Sequence, residues 1–337
     1  MDMRQWFDAL VGDGPKKAFP ILSFPCATLL GVSVKNLISD SGLMARGIQA
    51  IADRCDMPAA VGMMDLSVEA ESFGAAARFS DEEVPTITGR LVTDEKSVDE
   101  LQVPEVFSGR SCRTGIYIDA AKMAKASITD RPVFAGAIGP FSLGGRLMDM
   151  TEIMVSCYTD PNVVHKCLEK TTRFITAYAQ AFKAAGADGV LIAEPAAGLL
   201  SPELIEEFST PYVRRIVGEV QTSEFGVLYH NCGNTVPLID SIKKIGAYGY
   251  HFGNAVDMVK ILESMPNDVP VFGNVDPAGQ FRNGTPESIY EVTRELVDRC
   301  KAYPNYVPSS GCDIPPLSPW ENIDAFFKAV ADAYAGF

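Results

Sequence analysis

A histidine and a cysteine stand two residues apart in LYHNCGNTVP, and another cysteine lies far downstream in SSGCDIPP. His230, Cys232 and Cys312 are nitrogen and sulfur donors, and soft thiolates favour Zn²⁺ over Mg²⁺ or Ca²⁺. Three such ligands leave one tetrahedral position open, which is the arrangement of a catalytic rather than a structural zinc. The His-x-Cys pair alone is equally a strand end with two polar side chains, and Cys312 supplies the third donor that the pair lacks. Glu194, which closes the run GVLIAE, is a candidate catalytic residue able to occupy the open position, and Asp65 is the second candidate. Asn274, Asp276 and Arg146 are candidate cofactor-binding residues. His251 reads either as a pocket residue or as a buried core histidine.

These residues fall at the ends of strand-like runs. The runs are PVFAGAI (132–138), GVLIAE (189–194), GVLYH (226–230), YGYHF (248–252), PVFGN (270–274) and NYVPSS (305–310), and segments with helical apolar spacing separate them. Such alternation predicts a parallel sheet. AAVGMMDLS (59–67) reads as the first strand and VPTITG (84–89) as a candidate second. Ser201-Pro202 and Thr285-Pro286 mark helix starts, while Gly186 and Gly246 mark helix ends. Gly233 reads as a tight turn behind the ligand pair. The expected architecture is α/β, a single (β/α)8 TIM barrel with an N-terminal helical extension over 1–56. In a barrel of this kind the chemistry sits at the C-terminal ends of the strands.

Other features narrow the function. A net charge of -14 opposes nucleic-acid and anionic-membrane partners, which need a basic surface. No apolar run reaches the roughly 18 residues of a membrane span, and the acidic start MDMRQWFDAL does not resemble a secretion signal, so a cytoplasmic location is expected. Cys26, Cys55, Cys112, Cys157, Cys167 and Cys300 read as buried or incidental thiols, and His165 as a surface or packing residue on a helix. GPFSLGGR (139–146) lacks the lysine of a phosphate loop and reads as a strand-to-helix turn. No Ser-His-Asp order, dinucleotide-binding glycine fingerprint or HExxH helix is present.

The stretches GAIGPFSL, GNVDP with TPESIYEVTRELVD, and VPSSGCDIPPLSPWENIDAFFKAV resemble the uroporphyrinogen decarboxylase superfamily, a (β/α)8 fold. Within it, MMDLSVEAESFG, HNCG and SSGCDIPP look most like the zinc-dependent methylcobalamin:coenzyme M methyltransferases, whose zinc motif His230, Cys232 and Cys312 match one by one. The decarboxylase branch carries an arginine-rich RQAGR segment, whereas AFPILSFPCATLLG occupies the comparable region here without an arginine. The resemblance therefore implies Zn²⁺, a corrinoid (methylcobalamin) carried by a partner corrinoid protein, and a small-molecule thiol or methyl donor. The alternative is transfer from an O-methyl or N-methyl compound to a corrinoid protein. A decarboxylase and a non-catalytic zinc-binding protein are weaker rivals.

Overall fold

The computed structural model describes residues 1–107 and 113–335, so Cys112 lies outside the described residues. Seven strands form one parallel sheet: β1 (Ala60–Val61), β4 (Val133–Ile138), β5 (Gly189–Ala193), β6 (Gly226–Asn231), β7 (Gly249–Phe252), β8 (Val271–Val275) and β9 (Tyr306–Ser310), in that spatial order. Nearly every residue in them is buried, as expected for a parallel sheet covered by helices. Because all seven run the same way, their C-terminal ends open onto one face.

The expectation of an eight-stranded barrel is met in part. The eighth position is not a ladder strand among the described residues. Instead the buried segment 18–24 lies along β9, with Phe19 N donating to Pro308 O at 2.8 Å and Ile314 N donating to Ile21 O at 3.0 Å. The sheet is curled: His251 on β7 bonds Ser309 on β9 across the interior, although β8 stands between those strands.

VPTITG is not the second strand of the sheet. β2 (Ala76–Arg78) and β3 (Thr86–Thr88) pair antiparallel as a separate two-stranded hairpin. Its alternating pattern with an outward face suits an exposed ribbon, whereas the parallel strands are continuous apolar runs. The run 201–221 is two helices, Pro202–Phe208 and Thr210–Val220, broken at Ser209 because Pro211 has no N–H to give to the preceding turn and its ring would clash there, whereas it is tolerated in the first turn of the second helix. Ser201 and Thr285 cap their helices through Leu204 N and Ser288 N, and Gly186 and Gly246 adopt φ of 97° and 76°.

The helix Met3–Asp8 closes the N-terminal end of the sheet. Phe7 packs at 5.9 Å from the Phe134 ring, and side chains at Gly226 or Gly249 would displace it, so glycine at the start of β6 and β7 makes room for the plug. Trp6 and Phe19 extend this aromatic layer to Phe134 and Phe272. Among the described residues no helix is long and apolar enough to cross a membrane.

Candidate functional site

At the opposite end, His230 is the fifth residue of β6, Cys232 follows that strand, and Cys312 follows β9. Their ligand atoms lie within 4.8 Å of one another. The middle residue of His-x-Cys contributes too, because Asn231 Oδ1 accepts from Gly233 N at 3.0 Å and closes the turn that swings Cys232 toward its partners. Gly233 does not have a left-handed φ, so the tight-turn reading is replaced by close packing: a side chain there would meet the Gly198 backbone at 2.6 Å.

His230 is 2% exposed, and its Nε2 is buried without a hydrogen-bond partner. An orphaned imidazole nitrogen beside two thiols is costly unless something binds it. The neighbouring Cys312 and His230 side chains hold the Cys232 thiol well below its usual range, while Cys232 and burial hold Cys312 above it. The donor set and the free imidazole nitrogen fit a zinc ion.

The three residues open on a cavity of about 270 Å³ with largely apolar walls from Ile21, Met64, Leu66, Val84 and Pro195. Two charged residues face it as well, Arg146 and Asp313. Arg146 has no hydrogen-bond partner or ion pair among the described residues, and burial lowers its pKa against the pull of Glu69 and Asp65. Arg90, by contrast, pairs at the surface with Glu152 at 3.3 Å. Val84, Pro85 and Thr86 belong to the hairpin segment, so the stretch expected as a sheet strand roofs the cavity instead.

The remaining candidates sit one layer back. Glu194 is 0% exposed and caps the helix Pro140–Met148: Oε1 accepts from Phe141 N at 2.7 Å, and Oε2 accepts from Ser142 N at 2.8 Å and from the Ser142 hydroxyl. A side chain at Gly139 would collide with this carboxylate. Burial raises the Glu194 pKa to about 7. It is not among the residues whose ligand atoms converge. Asp65 accepts from Arg113, the Tyr117 hydroxyl and Ser67, which commits it to a buried ion-pair cluster. Asn274 donates to Gly253 O and Val256 O, both at 2.9 Å, and so pins the loop after β7. Gly253 of that loop presses so closely on Cys232 that a side chain there would collide with its backbone. Asp276 caps the turn Pro277–Arg282 through Ala278 N and Gly279 N. None of these four lines the cavity.

Two residues carry more than the sequence disclosed. His251 is a core histidine in contact with the site, its Nδ1 lying 2.8 Å from His230 Nδ1. Glu69, which reads as a first-turn acid, is buried with Oε1 accepting from Ile138 N at 2.9 Å and Oε2 unpartnered, and burial raises its pKa to about 7. Its place among apolar residues in MMDLSVEA was the available signal. Cys26, Cys55, Cys157, Cys167 and Cys300 are buried thiols, and His165 packs against Phe208 while bonding Tyr212.

A family model described as uroporphyrinogen decarboxylase (URO-D) matches residues 18–333. A methylcobamide:CoM methyltransferase MtbA of Methanosarcina acetivorans is 27% identical over 263 residues, covering 77% of this chain and 75% of that protein. A methylated-thiol–coenzyme M methyltransferase of Methanosarcina mazei is 27% identical over 296 residues, covering 86% and 77%. Among solved structures, a methyltransferase from Methanosarcina mazei superposes with a TM-score of 0.83 at 20% identity, over 99% of this chain and 98% of that one, which is a likeness of fold.

Proposed function

We propose that this chain, which belongs to the uroporphyrinogen decarboxylase (URO-D) family, is a zinc-dependent methyltransferase acting between a protein-bound methyl-cobalt corrinoid and a small anionic thiol such as coenzyme M. The observation that carries the reading is the buried, unpartnered His230 Nε2 facing Cys232 and Cys312 in a cavity that also presents Arg146. Held by those three residues, Zn²⁺ would supply the Lewis acidity that strips the proton from a thiol and leaves its sulfur nucleophilic at neutral pH.

The chain's own residues do the rest. Arg146 supplies the positive charge that would draw in the acidic end of the thiol, and its fork of donors suits a sulfonate or carboxylate. The apolar walls exclude water and strengthen that attraction. A volume of about 270 Å³ suits a small thiol rather than a macrocycle, so a corrinoid would meet the sulfur from outside, over the strand ends. Leu199 and Val236, which follow β5 and β6, are 69% and 37% exposed there and offer apolar footing to a corrinoid protein. Decarboxylation of a porphyrinogen would demand several cations, and the segment 18–31 that would supply them carries none.

The test joins metal analysis to turnover. Purified protein should hold about one zinc per chain, and adding coenzyme M to methylcobalamin should give the spectrum of demethylated cobalamin. The rate should exceed that with an uncharged thiol. Absence of zinc, or no thiol-dependent spectral change, would overturn the reading.

A further inference from the structure

We infer that His251 and Ser309 are positioning residues that fix which ring nitrogen of His230 carries the proton, and so keep its Nε2 lone pair turned toward Cys232 and Cys312. The inference rests on the metal reading above, but it follows from donor and acceptor bookkeeping in a chain of hydrogen bonds. At the far end, the Ser309 hydroxyl donates to the carbonyl oxygen of Phe19 at 2.7 Å. A carbonyl has no proton to give, so the single hydroxyl proton is committed there. Ser309 Oγ, 2.8 Å from His251 Nε2, is therefore the acceptor in that contact, and His251 carries its proton on Nε2.

The same constraint governs the contact between the two histidines. His251 is 0% exposed, and among the described residues no carboxylate bonds its ring, so a second proton on that ring would be an unpaired buried charge. With its one proton on Nε2, His251 offers only a lone pair at Nδ1. His230 Nδ1 lies 2.8 Å from it and must be the donor. His230 thus keeps its proton on Nδ1 and presents a lone pair at Nε2, the buried atom without a partner. The opposite tautomer would set two lone pairs against each other at Nδ1 and close Nε2 to a metal.

The fold holds each link in place. Strand register seats His230 opposite His251 and His251 opposite Phe272, and the His251 and Phe272 rings are nearly parallel at 12°. Phe19 is fixed from the other side by the hydrogen bond its N–H donates to Pro308 O and by aromatic contacts with Trp6, Phe134 and Phe272. A residue of the N-terminal segment thereby reaches the metal ligand through two side chains. A purely space-filling role would require neither direction in these bonds nor the orphan nitrogen at their end.

The chain has three histidines, so ¹⁵N NMR of ring nitrogens in the zinc-free protein can resolve each one. The expected result is a His230 that carries a proton on Nδ1 and a neutral His251 protonated at Nε2; a His230 without a proton on Nδ1 would overturn the inference without any variant being made. Zinc affinity, measured by competition with a chromogenic chelator, should fall about 10–100-fold in His251→Leu, as is typical when a partner of a ligating histidine is lost. Ser309→Ala should weaken it in the same direction. His251→Gln should restore most of it, because a Gln side chain offers one acceptor and one donor in the same order. Equal affinity in wild type, His251→Leu and Ser309→Ala would sink the proposal. A wild type that binds no zinc would instead remove the metal reading, while the NMR result would still decide the tautomers.

Discussion

At the N-terminal ends of β4, β6 and β7 the helix Met3–Asp8 presses Phe7 between Phe134 and two glycines. At the C-terminal ends of the same strands the chain leaves His230 Nε2 unpartnered, two thiols together and a cavity open beside Arg146. One end follows the rules of a hydrophobic core, and the other departs from them at several atoms at once. Such departures persist in a stable fold because the packed end supplies the stability and the other end only has to be held in position. The two ends should therefore fail independently when they are broken.

The largest effect is expected at the open end. Cys312→Ala should abolish zinc retention and methyl transfer, yet shift the unfolding free energy of the metal-free protein by no more than about 1 kcal/mol, since Cys312 is only partly buried. Metal analysis with denaturant titration in the presence of a chelator reads both. Phe7→Ala is the converse. Removing a fully buried aromatic should cost about 3–5 kcal/mol, while the folded fraction keeps its zinc. A loss of zinc in that variant with stability intact would dissolve the separation of the two ends.

A smaller effect tests the layer between them. Burial raises Glu69 to about 7 from an ordinary 4.5 in the unfolded chain. Between those values the folded protein holds a proton that the unfolded chain has released, so this group's contribution is complete below about 4.5 and is lost as pH rises through about 7. Glu69→Gln should flatten the pH dependence and stabilise the protein at pH 8 relative to wild type by about 3 kcal/mol. Glu194, raised to about 7 by burial as well, should keep the remaining slope. Urea unfolding at pH 5 and pH 8 measures it, and an unchanged slope would mean that Glu69 is ionised without penalty. The smallest effect belongs to the rim. Leu199→Ser should alter stability by less than about 0.5 kcal/mol and leave turnover of free methylcobalamin unchanged, while turnover of a protein-bound corrinoid slows.

Most of the sheet was legible from sequence because continuous apolar runs bounded by glycine and capped helices leave few other assignments. The last six strands fall where GVLIAE, GVLYH and their companions place them. VPTITG misled because a short β-rich run has no feature that distinguishes a sheet strand from a surface hairpin. Pro211 in STPYV is a readable break that the helical apolar spacing of that segment does not disclose by itself. At the site, the three donor residues were readable by type and spacing. The duties of Glu194, Asp65, Asn274 and Asp276 were not: a carboxylate or amide at a strand end is the same letter whether it faces a cavity or caps a helix.

What the sequence determined by itself was the donor chemistry, the strand-helix alternation and hence the face on which strand ends gather, since these depend on residue type and local period. Tertiary structure alone decided that Cys312 meets His230 and Cys232, that Arg146 rather than Arg90 turns inward, and that Phe19 reaches His230 through Ser309 and His251. Those relations join residues up to about 290 positions apart, and they are set by strand register and by which buried polar atoms find partners. Both are properties of the packed interior, where an unmet hydrogen bond costs about 1–3 kcal/mol and each donor is driven to the one acceptor within reach.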